Sequence, residues 1–261
     1  LGSVAEFSAM AGVLVGPALR QRQEQALTRI RLQRIIDEQR FDVCYQPIVD
    51  IASGAVLGHE ATTRFLDDLE PVATIEAAIA VGLSPALEIA QVAAAVERSR
   101  PLPDGQWLSI NVTPSMLLAL AAAGPAPDAG RPLVLELSEH QLIGDYGPVR
   151  DALTALGPGV CLAIDDTGAG QANLAHLVEL TPRYVKLDVS LVRGVEQDVT
   201  RQAMARGILQ FSAATGSTVI AEGVETRAEL DALRRLGVTV AQGHLLGRPR
   251  AADGSADCSG G

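Results

Sequence analysis

Two adjacent carboxylates, Asp165 and Asp166, follow a short apolar run and precede a loop with glycine at two of its first four positions. The apolar run, 160–164, is typical of a buried strand that carries charge at its end. Neighbouring carboxylates resist being ionised together unless a cation lies between them, so the pair indicates a site for a hard divalent metal. A solvated turn uses the same residue types. The pair alone leaves both interpretations open.

The same arrangement recurs along the chain, where further apolar runs carry or precede a polar residue. The eight runs are 43–49, 55–59, 107–110, 133–135, 160–164, 184–187, 218–221 and 238–241. Besides the Asp pair, their polar residues are Gln46, Glu60, Asn111, Glu136, Lys186, Asp188, Glu222 and Gln242. Strands that alternate with helices favour a parallel sheet, and eight such units predict an α/β fold with a closed TIM-type (β/α)8 barrel. The acidic strand ends would then converge on one mouth.

The composition limits the class of protein. The chain has 261 residues, of which 48% are hydrophobic, and this is enough for one barrel domain with an N-terminal appendage. The formal net charge of −10 disfavours long nucleic acid as a partner, because that ligand needs a basic surface. A small phosphate-containing ligand held by metal is still allowed.

The cysteines and the apolar runs bear on the cellular compartment. Cys44, Cys161 and Cys258 show no metal-ligand spacing, and two of them lie in predicted strands. They are predicted to be small buried apolar residues in a reducing compartment. No apolar run approaches the ~20 residues of a membrane span, and no signal peptide is recognisable. The chain begins at Leu1 rather than Met, so we expect a cytoplasmic fragment of a longer protein.

Three segments are predicted: 1–40, 41–250 and a disordered tail over 251–261. Residues 18–40 contain no Gly or Pro and are rich in Gln, Arg, Leu and Ile, which predicts one continuous helix. This lead-in helix would connect an upstream sensory domain to the barrel. Further helices are predicted over 71–100, after Pro114, and over 141–156, 202–215 and 226–236.

Eight short segments carry the polar residues in a fixed order between about Phe41 and Pro249. They are YQPIVD (45–50), GHEATTR (58–64), INVTP (110–114), ELSE (136–139), DD (165–166), KLD (186–188), AEGVET (221–226) and QGHLLGRP (242–249). Each segment alone is weak evidence. With all eight in order, the chain resembles the EAL domain family, the phosphodiesterase module that hydrolyses cyclic di-GMP.

The resemblance implies a barrel whose first strand is antiparallel to the rest, a homodimer, and a site for two Mg²⁺ or Mn²⁺ ions. Glu60, Asn111, Glu136 and Asp165 would surround one ion, and Asp165, Asp166 and Glu222 the other. Lys186 would hold the attacking water, and Glu60, Lys186 and Glu222 would be essential for catalysis. Near the phosphate and guanine groups of the substrate would lie Gln46, Arg64, Asp188 and Gln242. Glu139 would brace the loop after Asp166, and Glu225 would support the second ion.

The implied chemistry agrees with these residue types. Phosphodiester hydrolysis needs a nucleophile at neutral pH and stabilisation of charge on the attacking and leaving oxygens, which two cations together supply. Carboxylates and an Asn carbonyl are the hard oxygen ligands that Mg²⁺ and Mn²⁺ prefer. The expected product is the linear dinucleotide pGpG.

Four positions depart from the family pattern. Thr62 replaces the signature Leu, Thr167 the aromatic residue after the Asp pair, Ala169 a hydroxyl residue, and His244 the aromatic residue of the last segment. None is a predicted metal ligand. Since Thr buries less area than an aromatic side chain, we expect 167–172, which in this family link the metal site to the dimer contact, to be loosely held and turnover to be slow.

Two functions therefore remain open. One is a metal-dependent phosphodiesterase, and the other is a non-catalytic or very slow cyclic di-GMP receptor that signals to a partner. Retention of every predicted metal ligand favours the enzyme.

Overall fold

The computed structural model describes residues 2–66, 69–124, 126, 128–138, 143–168, 174–255 and 258. The chain forms two compact units. One comprises residues 1–42 and 64–90, and the other comprises residues 43–63 and 91–261. The predicted boundaries at 40 and 250 stay a prediction.

In the described residues, eight strands close a barrel in the order in which they occur along the chain. They are β1 (Phe41–Asp50), β2 (Val56–Phe65), β3 (Trp107–Asn111), β4 (Leu133–Ser138), β5 (Val160–Thr167), β6 (Tyr184–Leu187), β7 (Thr218–Ala221) and β8 (Val240–Gln242). β1 pairs antiparallel with β8, whereas β2 to β8 pair parallel. The predicted TIM-type barrel and its antiparallel first strand are confirmed.

The helices of the described residues are α1 (Gly2–Asp37), α2 (Pro71–Ala80), α3 (Ser84–Arg98), α4 (Pro114–Ala123), α5 (Gly147–Leu156), α6 (Leu174–Leu180), α7 (Val189–Val192), α8 (Val199–Thr215) and α9 (Arg227–Leu236). Among them, α1 precedes β1, α2 and α3 lie between β2 and β3, and the other helices lie between later strands. In the first unit, Leu32 and Ile35 of α1 are buried, and Arg29 donates a hydrogen bond to the carbonyl of Val81 at 2.8 Å. The predicted continuity of the lead-in helix is confirmed.

Local sequence explains where several helices begin and end. The side chain of Thr226 accepts a hydrogen bond from the Glu229 amide, the Glu229 carboxylate accepts one from the Thr226 amide, and Gly237 ends α9 in a left-handed conformation. The helical region predicted over 71–100 is observed as two helices, α2 and α3, which Gly82 separates at φ 70°. The helix predicted over 141–156 is described from Gly147, and its residues 141 and 142 lie outside the described part. α6 and α7 were not predicted.

Apolar side chains close the lower interior of the barrel, which we call the floor. Trp107 and Tyr184 stack there with ring centroids 5.1 Å apart, beside the buried Ile220 and Val240. Gly58 is required at this level, because a Cβ on it would lie 2.3 Å from the Trp107 ring. Since side chains alternate along a strand, the residues two positions further face the same interior. Those residues are Glu60, Ser109, Lys186, Glu222 and Gln242, so the floor supports a polar layer.

A disulfide joins Cys44 of β1 to Cys258, with the two Cα atoms 6.2 Å apart. The prediction that these two cysteines are simply buried apolar residues was therefore wrong, and Cys161 is the free cysteine of the described residues. The backbone of Arg250 also bridges to Tyr45, and the Cys258 amide donates to the Pro249 carbonyl at 3.1 Å. The pairing is not visible in the sequence because 214 residues separate the partners. Among the described residues, no helix has both the length and the apolar character that crossing a bilayer requires.

Reduction of the Cys44–Cys258 disulfide is expected to lower the free energy of unfolding by about 2–4 kcal/mol, because a cross-link between distant residues restricts the unfolded chain. Denaturant unfolding of the wild type with and without dithiothreitol, and of Cys258→Ser, measures the change. Cys161→Ser is the matched control and should keep the full response to reductant. Three titratable thiols in the unfolded, non-reduced protein would show that the disulfide does not form.

Candidate active site

Lys186 is the only lysine in the chain, and its side chain is fully buried. Its Nζ lies 2.6 Å from Glu136, 2.7 Å from Glu222, 3.3 Å from Asp165 and 3.5 Å from Glu60. A buried ammonium is tolerated only when opposite charges and hydrogen bonds replace its hydration. The four carboxylates meet that requirement and fix Lys186 at the centre of the barrel mouth.

The strand ends bring these residues together. Parallel pairing sets Asn111 of β3 beside Glu136 of β4, and Ser138 of β4 beside Asp165 of β5. Glu222 directly follows β7, and Gln242 ends β8. The predicted convergence of the polar strand ends is therefore observed, while the individual roles of these residues stay predictions.

A local irregularity in β5 directs the two neighbouring aspartates to one place. In a regular strand, successive side chains point to opposite faces. Here the register shifts between Ile164 and Thr167, and Asp166 has a left-handed backbone at φ 58°. One oxygen each from Asp165, Asp166 and Glu222 lie within 4.8 Å of one another. A non-glycine residue in this conformation costs on the order of 1–3 kcal/mol, so the cluster is formed against local strain.

Amide side chains hold Glu60. Asn111 Nδ2 donates to Glu60 Oε1 at 3.0 Å, and Gln242 Nε2 donates to Glu60 Oε2 at 2.6 Å. Gln242 Nε2 also lies 3.0 Å from Gln46 Oε1, and Gln46 donates to the Gly247 carbonyl at 3.0 Å. Gln242 Oε1 is buried and has no hydrogen-bond partner in the described part of the chain.

A cavity of about 270 Å³ adjoins the cluster. Its lining consists of Gln46, Glu60, Asp166, Asp188, Val189, Glu222, Gly223, Glu225, Gln242, Gly243 and His244. Three of the four predicted substrate-binding residues, Gln46, Asp188 and Gln242, are therefore brought together. Arg64 belongs to the first compact unit, and Glu139 lies outside the described residues.

The loop after β7 is fixed by a small charged network. Glu225 forms an ion pair with Arg193. Glu229 Oε2 accepts hydrogen bonds from the amides of Glu225 and Thr226, at 3.0 and 2.9 Å. These contacts hold the backbone that carries Glu222 and Gly223 into the cavity wall.

Sequence reasoning missed two side chains that contact the predicted site residues. Ser109 is fully buried, and its Oγ donates to Glu136 Oε1. Arg193 pairs with Glu225. The position of Ser109 two residues before Asn111 places both side chains on one strand face, and this spacing was the available signal.

Burial and mutual repulsion alter the acidity of the cluster. Burial raises the pKa of Glu136 to about 8, although Lys186 opposes the change. Burial also raises the pKa of Glu222. Burial by itself lowers the pKa of Lys186, but the surrounding carboxylates outweigh it and raise the pKa well above the usual value. One ammonium therefore does not balance these acids, and further positive charge would stabilise their ionised form.

Thr167 is only 1% exposed and is the last residue of β5, paired with Leu187. Its carbonyl accepts a hydrogen bond from the Asp188 amide at 3.2 Å. A Cβ on the next residue, Gly168, would lie 2.3 Å from Leu191, so this part of the chain is closely packed. The expectation of a loosely held segment was wrong at Thr167, because strand pairing holds the residue regardless of side-chain area. Residues 169–172 lie outside the described part.

The fold and the mouth define a TIM-type barrel with an acidic centre suited to divalent cations. The model of the EAL domain family matches residues 29–249, and the chain belongs to this family. The cyclic di-GMP phosphodiesterase PA2567 of Pseudomonas aeruginosa is 29% identical over 254 residues, which cover 89% of this chain and 43% of that protein. The chain thus spans less than half the length of this relative.

Solved structures of BlrP1 from Klebsiella pneumoniae are similar to this chain. Its calcium/cy-diGMP complex is 32% identical, has a TM-score of 0.71, and matches 81% of this chain and 56% of that one. Its manganese/cy-diGMP complex has a TM-score of 0.69 at the same 32% identity and matches 80% and 56% of the two chains. Together with the acidic cluster, these complexes indicate that the site uses a divalent cation.

The metal-free protein should lose thermal stability as the pH rises from about 6.5 to 9. Because the pKa of Glu136 is raised in the folded protein, its protonated form contributes stability. This contribution is fully present when the pH is below the ordinary pKa of a glutamate, and it is lost as the pH rises through about 8. Burial lowers the pKa of His59 to about 4. The titration of His59 therefore changes the stability only below about pH 6.5, and the predicted pH range starts there. Melting curves in chelator measure the slope. Glu136→Gln and added Mg²⁺ should each flatten it, and a rise of Tm with pH in chelator would contradict the account.

Proposed function

We propose that this chain hydrolyses cyclic di-GMP to linear pGpG with two bound Mg²⁺ or Mn²⁺ ions. The observation that carries the proposal is the cluster of acids around Lys186 at the barrel mouth, next to a cavity lined by Gln46, Asp188 and Gln242. Membership of the EAL family and the similarity to a named cyclic di-GMP phosphodiesterase support the same reaction.

The charge and chemistry of the cluster fit two divalent cations. When all are ionised, five carboxylates and one ammonium carry a formal charge of −4, which two divalent cations neutralise. The carboxylates are those of Glu60, Glu136, Asp165, Asp166 and Glu222. All the predicted ligands are carboxylate or amide oxygens, which Mg²⁺ and Mn²⁺ prefer. Glu60, Asn111, Glu136 and Asp165 would hold one ion, and Asp165, Asp166 and Glu222 the other.

The side chains then divide the work of phosphodiester hydrolysis. When bound, two divalent cations lower the pKa of water and stabilise charge on the phosphoryl and leaving oxygens. Lys186 donates a hydrogen bond that orients the attacking water in line with the scissile bond. The water oxygen bonds to phosphorus while the bond from phosphorus to the 3′ oxygen breaks, and that oxygen leaves with a proton. The product carries a 5′ phosphate at one end and a 3′ hydroxyl at the other.

Polar groups of the cavity suit recognition of the guanine and phosphate groups. The free acceptor Gln242 Oε1 and the carboxylate of Asp188 complement ring and amino N–H donors of guanine. Gln46 lies beside Gln242 and offers an amide. Arg64 would contact a phosphate, Glu225 would support the side of the second ion, and Glu139 would brace the loop after Asp166.

A cyclic di-GMP receptor with very slow or no turnover is the alternative. The observation that favours it is the set of departures at Thr62, Thr167, Ala169 and His244, of which Thr167 Oγ1 is buried without a partner among the described atoms. A receptor would keep the cavity and would signal to a partner without cleaving the ligand.

We also propose that the chain acts as a homodimer and that, in the full-length protein, a sensory domain lies upstream of α1. Sedimentation with and without cyclic di-GMP tests the dimer.

The cytoplasmic location stays a prediction. Disulfides are rare in the reducing cytosol, so the redox state of Cys44 and Cys258 in cells tests it.

Hydrolysis of cyclic di-GMP should require Mg²⁺ or Mn²⁺, should stop in chelator, and should be inhibited by Ca²⁺. Ca²⁺ fits oxygen ligands, but it is larger and polarises water less. Chromatography of the products after incubation under each condition measures both the rate and the formation of pGpG. Undiminished hydrolysis after exhaustive chelation would refute the metal-dependent mechanism, whereas binding of intact ligand with no product would establish the receptor.

Lys186→Ala should lower kcat by at least about 100-fold and change KM little, because Lys186 acts on the water rather than on the bound substrate. Steady-state kinetics in saturating Mn²⁺ measure both constants. Arg227→Ala is the charge-matched control, since Arg227 is an exposed cation that pairs with Asp231 on the surface. Melting curves show whether Lys186→Ala folds. Loss of substrate binding with a normal residual rate would mean that the assigned role is wrong.

A further inference from the structure

Ser109 is a polar residue at a position where an apolar one is the norm. It lies in the middle of β3, fully buried, and faces the barrel interior between Trp107 below and Asn111 above. Interior layers of such barrels are dominated by Val, Ile and Leu, and a buried hydroxyl is costly unless it is hydrogen-bonded. The register places Ser109 directly beside Glu60 of β2. The buried hydroxyl of Ser109 therefore requires a hydrogen-bond partner, and the nearby acidic cluster can supply one.

That partner is Glu136, whose two carboxylate oxygens each receive one donor. Ser109 Oγ donates to Oε1, and Lys186 Nζ donates to Oε2 at 2.6 Å. A carboxylate with a single donor can turn about its last side-chain bond, whereas two donors on different oxygens fix its plane. Lys186 is shared with three other acids, so Ser109 is the contact that is specific to Glu136.

We propose that Ser109 is a positioning residue that orients Glu136 for binding a divalent cation. This inference rests on the proposed function only in taking Glu136 as a metal ligand. Groups that hydrogen-bond to metal ligands fix the orientation of those ligands, and their loss commonly weakens metal affinity. Ser109 itself touches neither substrate nor the reacting atoms, and its effect passes through Glu136.

Two substitutions separate the hydroxyl from the space it fills. Ser109→Ala removes the donor and leaves a small void, whereas Ser109→Cys fills that space with a slightly larger thiol, which is a much weaker donor. Ser212→Ala is the matched control. Ser212 is also a buried serine, but it lies on α8, and its Oγ has no hydrogen-bond partner in the described part of the structure.

Calorimetric titration with Mn²⁺ is the first measurement, made without substrate. Both Ser109 variants should bind Mn²⁺ about 10–100-fold more weakly than the wild type, and Ser212→Ala should bind it normally. The second measurement is hydrolysis at increasing Mn²⁺. The Mn²⁺ concentration for half-maximal rate should rise by a similar factor, whereas KM for cyclic di-GMP in saturating Mn²⁺ should stay unchanged.

Wild-type Mn²⁺ affinity in Ser109→Cys would overturn the proposal, because it would show that volume rather than the hydroxyl matters. Since Ser109→Cys leaves no void, it carries the test alone if Ser109→Ala does not fold. A failure of the proposed reaction can be distinguished from a failure of this proposal. A wild type that binds Mn²⁺ but leaves cyclic di-GMP intact refutes hydrolysis. In that case the Mn²⁺ affinities of the variants still decide the role of Ser109.

Discussion

The structure depends on one electrostatic constraint, a single buried ammonium surrounded by more negative charge than it can balance. Lys186 contacts four carboxylates, and removing such groups from water is costly unless they are paired. The pairing holds the acids in place, but it leaves Glu136 and Glu222 with raised pKa values. The centre is thus preorganised and still attracts divalent cations.

The barrel meets this constraint through the period of its strands. An apolar floor of Trp107, Tyr184 and their neighbours supports polar residues two positions further along the same strands. In a regular strand, either Asp165 or Asp166 would point away from the barrel interior. The register shift and the left-handed backbone at Asp166 bring the two carboxylates together. The fold therefore gives up regular strand geometry at the point where two neighbouring carboxylates are needed together.

Much of this arrangement could be predicted from the sequence, and the reasons are physical. Apolar runs with polar ends mark barrel strands, and all eight strands occur close to the predicted positions. Long-range relations were not predictable, because nothing local encodes them: the Cys44–Cys258 disulfide joins distant residues. Ser109 was missed because its spacing from Asn111 shows only that the two side chains share a strand face, and does not show which side chain the hydroxyl contacts. Gly82 was missed as a helix break because glycine is tolerated within helices.

The most direct test uses the fact that the chain contains a single lysine. Labelling lysine with ¹⁵N at Nζ gives one side-chain ammonium signal in an NMR spectrum. The amino group at the chain terminus carries no label and gives no signal. If Lys186 is the built-in cation of a metal centre, the signal in chelator will be that of a protonated ammonium protected from exchange, and Mg²⁺ will shift it in a saturable manner. An ammonium that exchanges like a solvated lysine, or a signal unchanged by Mg²⁺, would contradict the account.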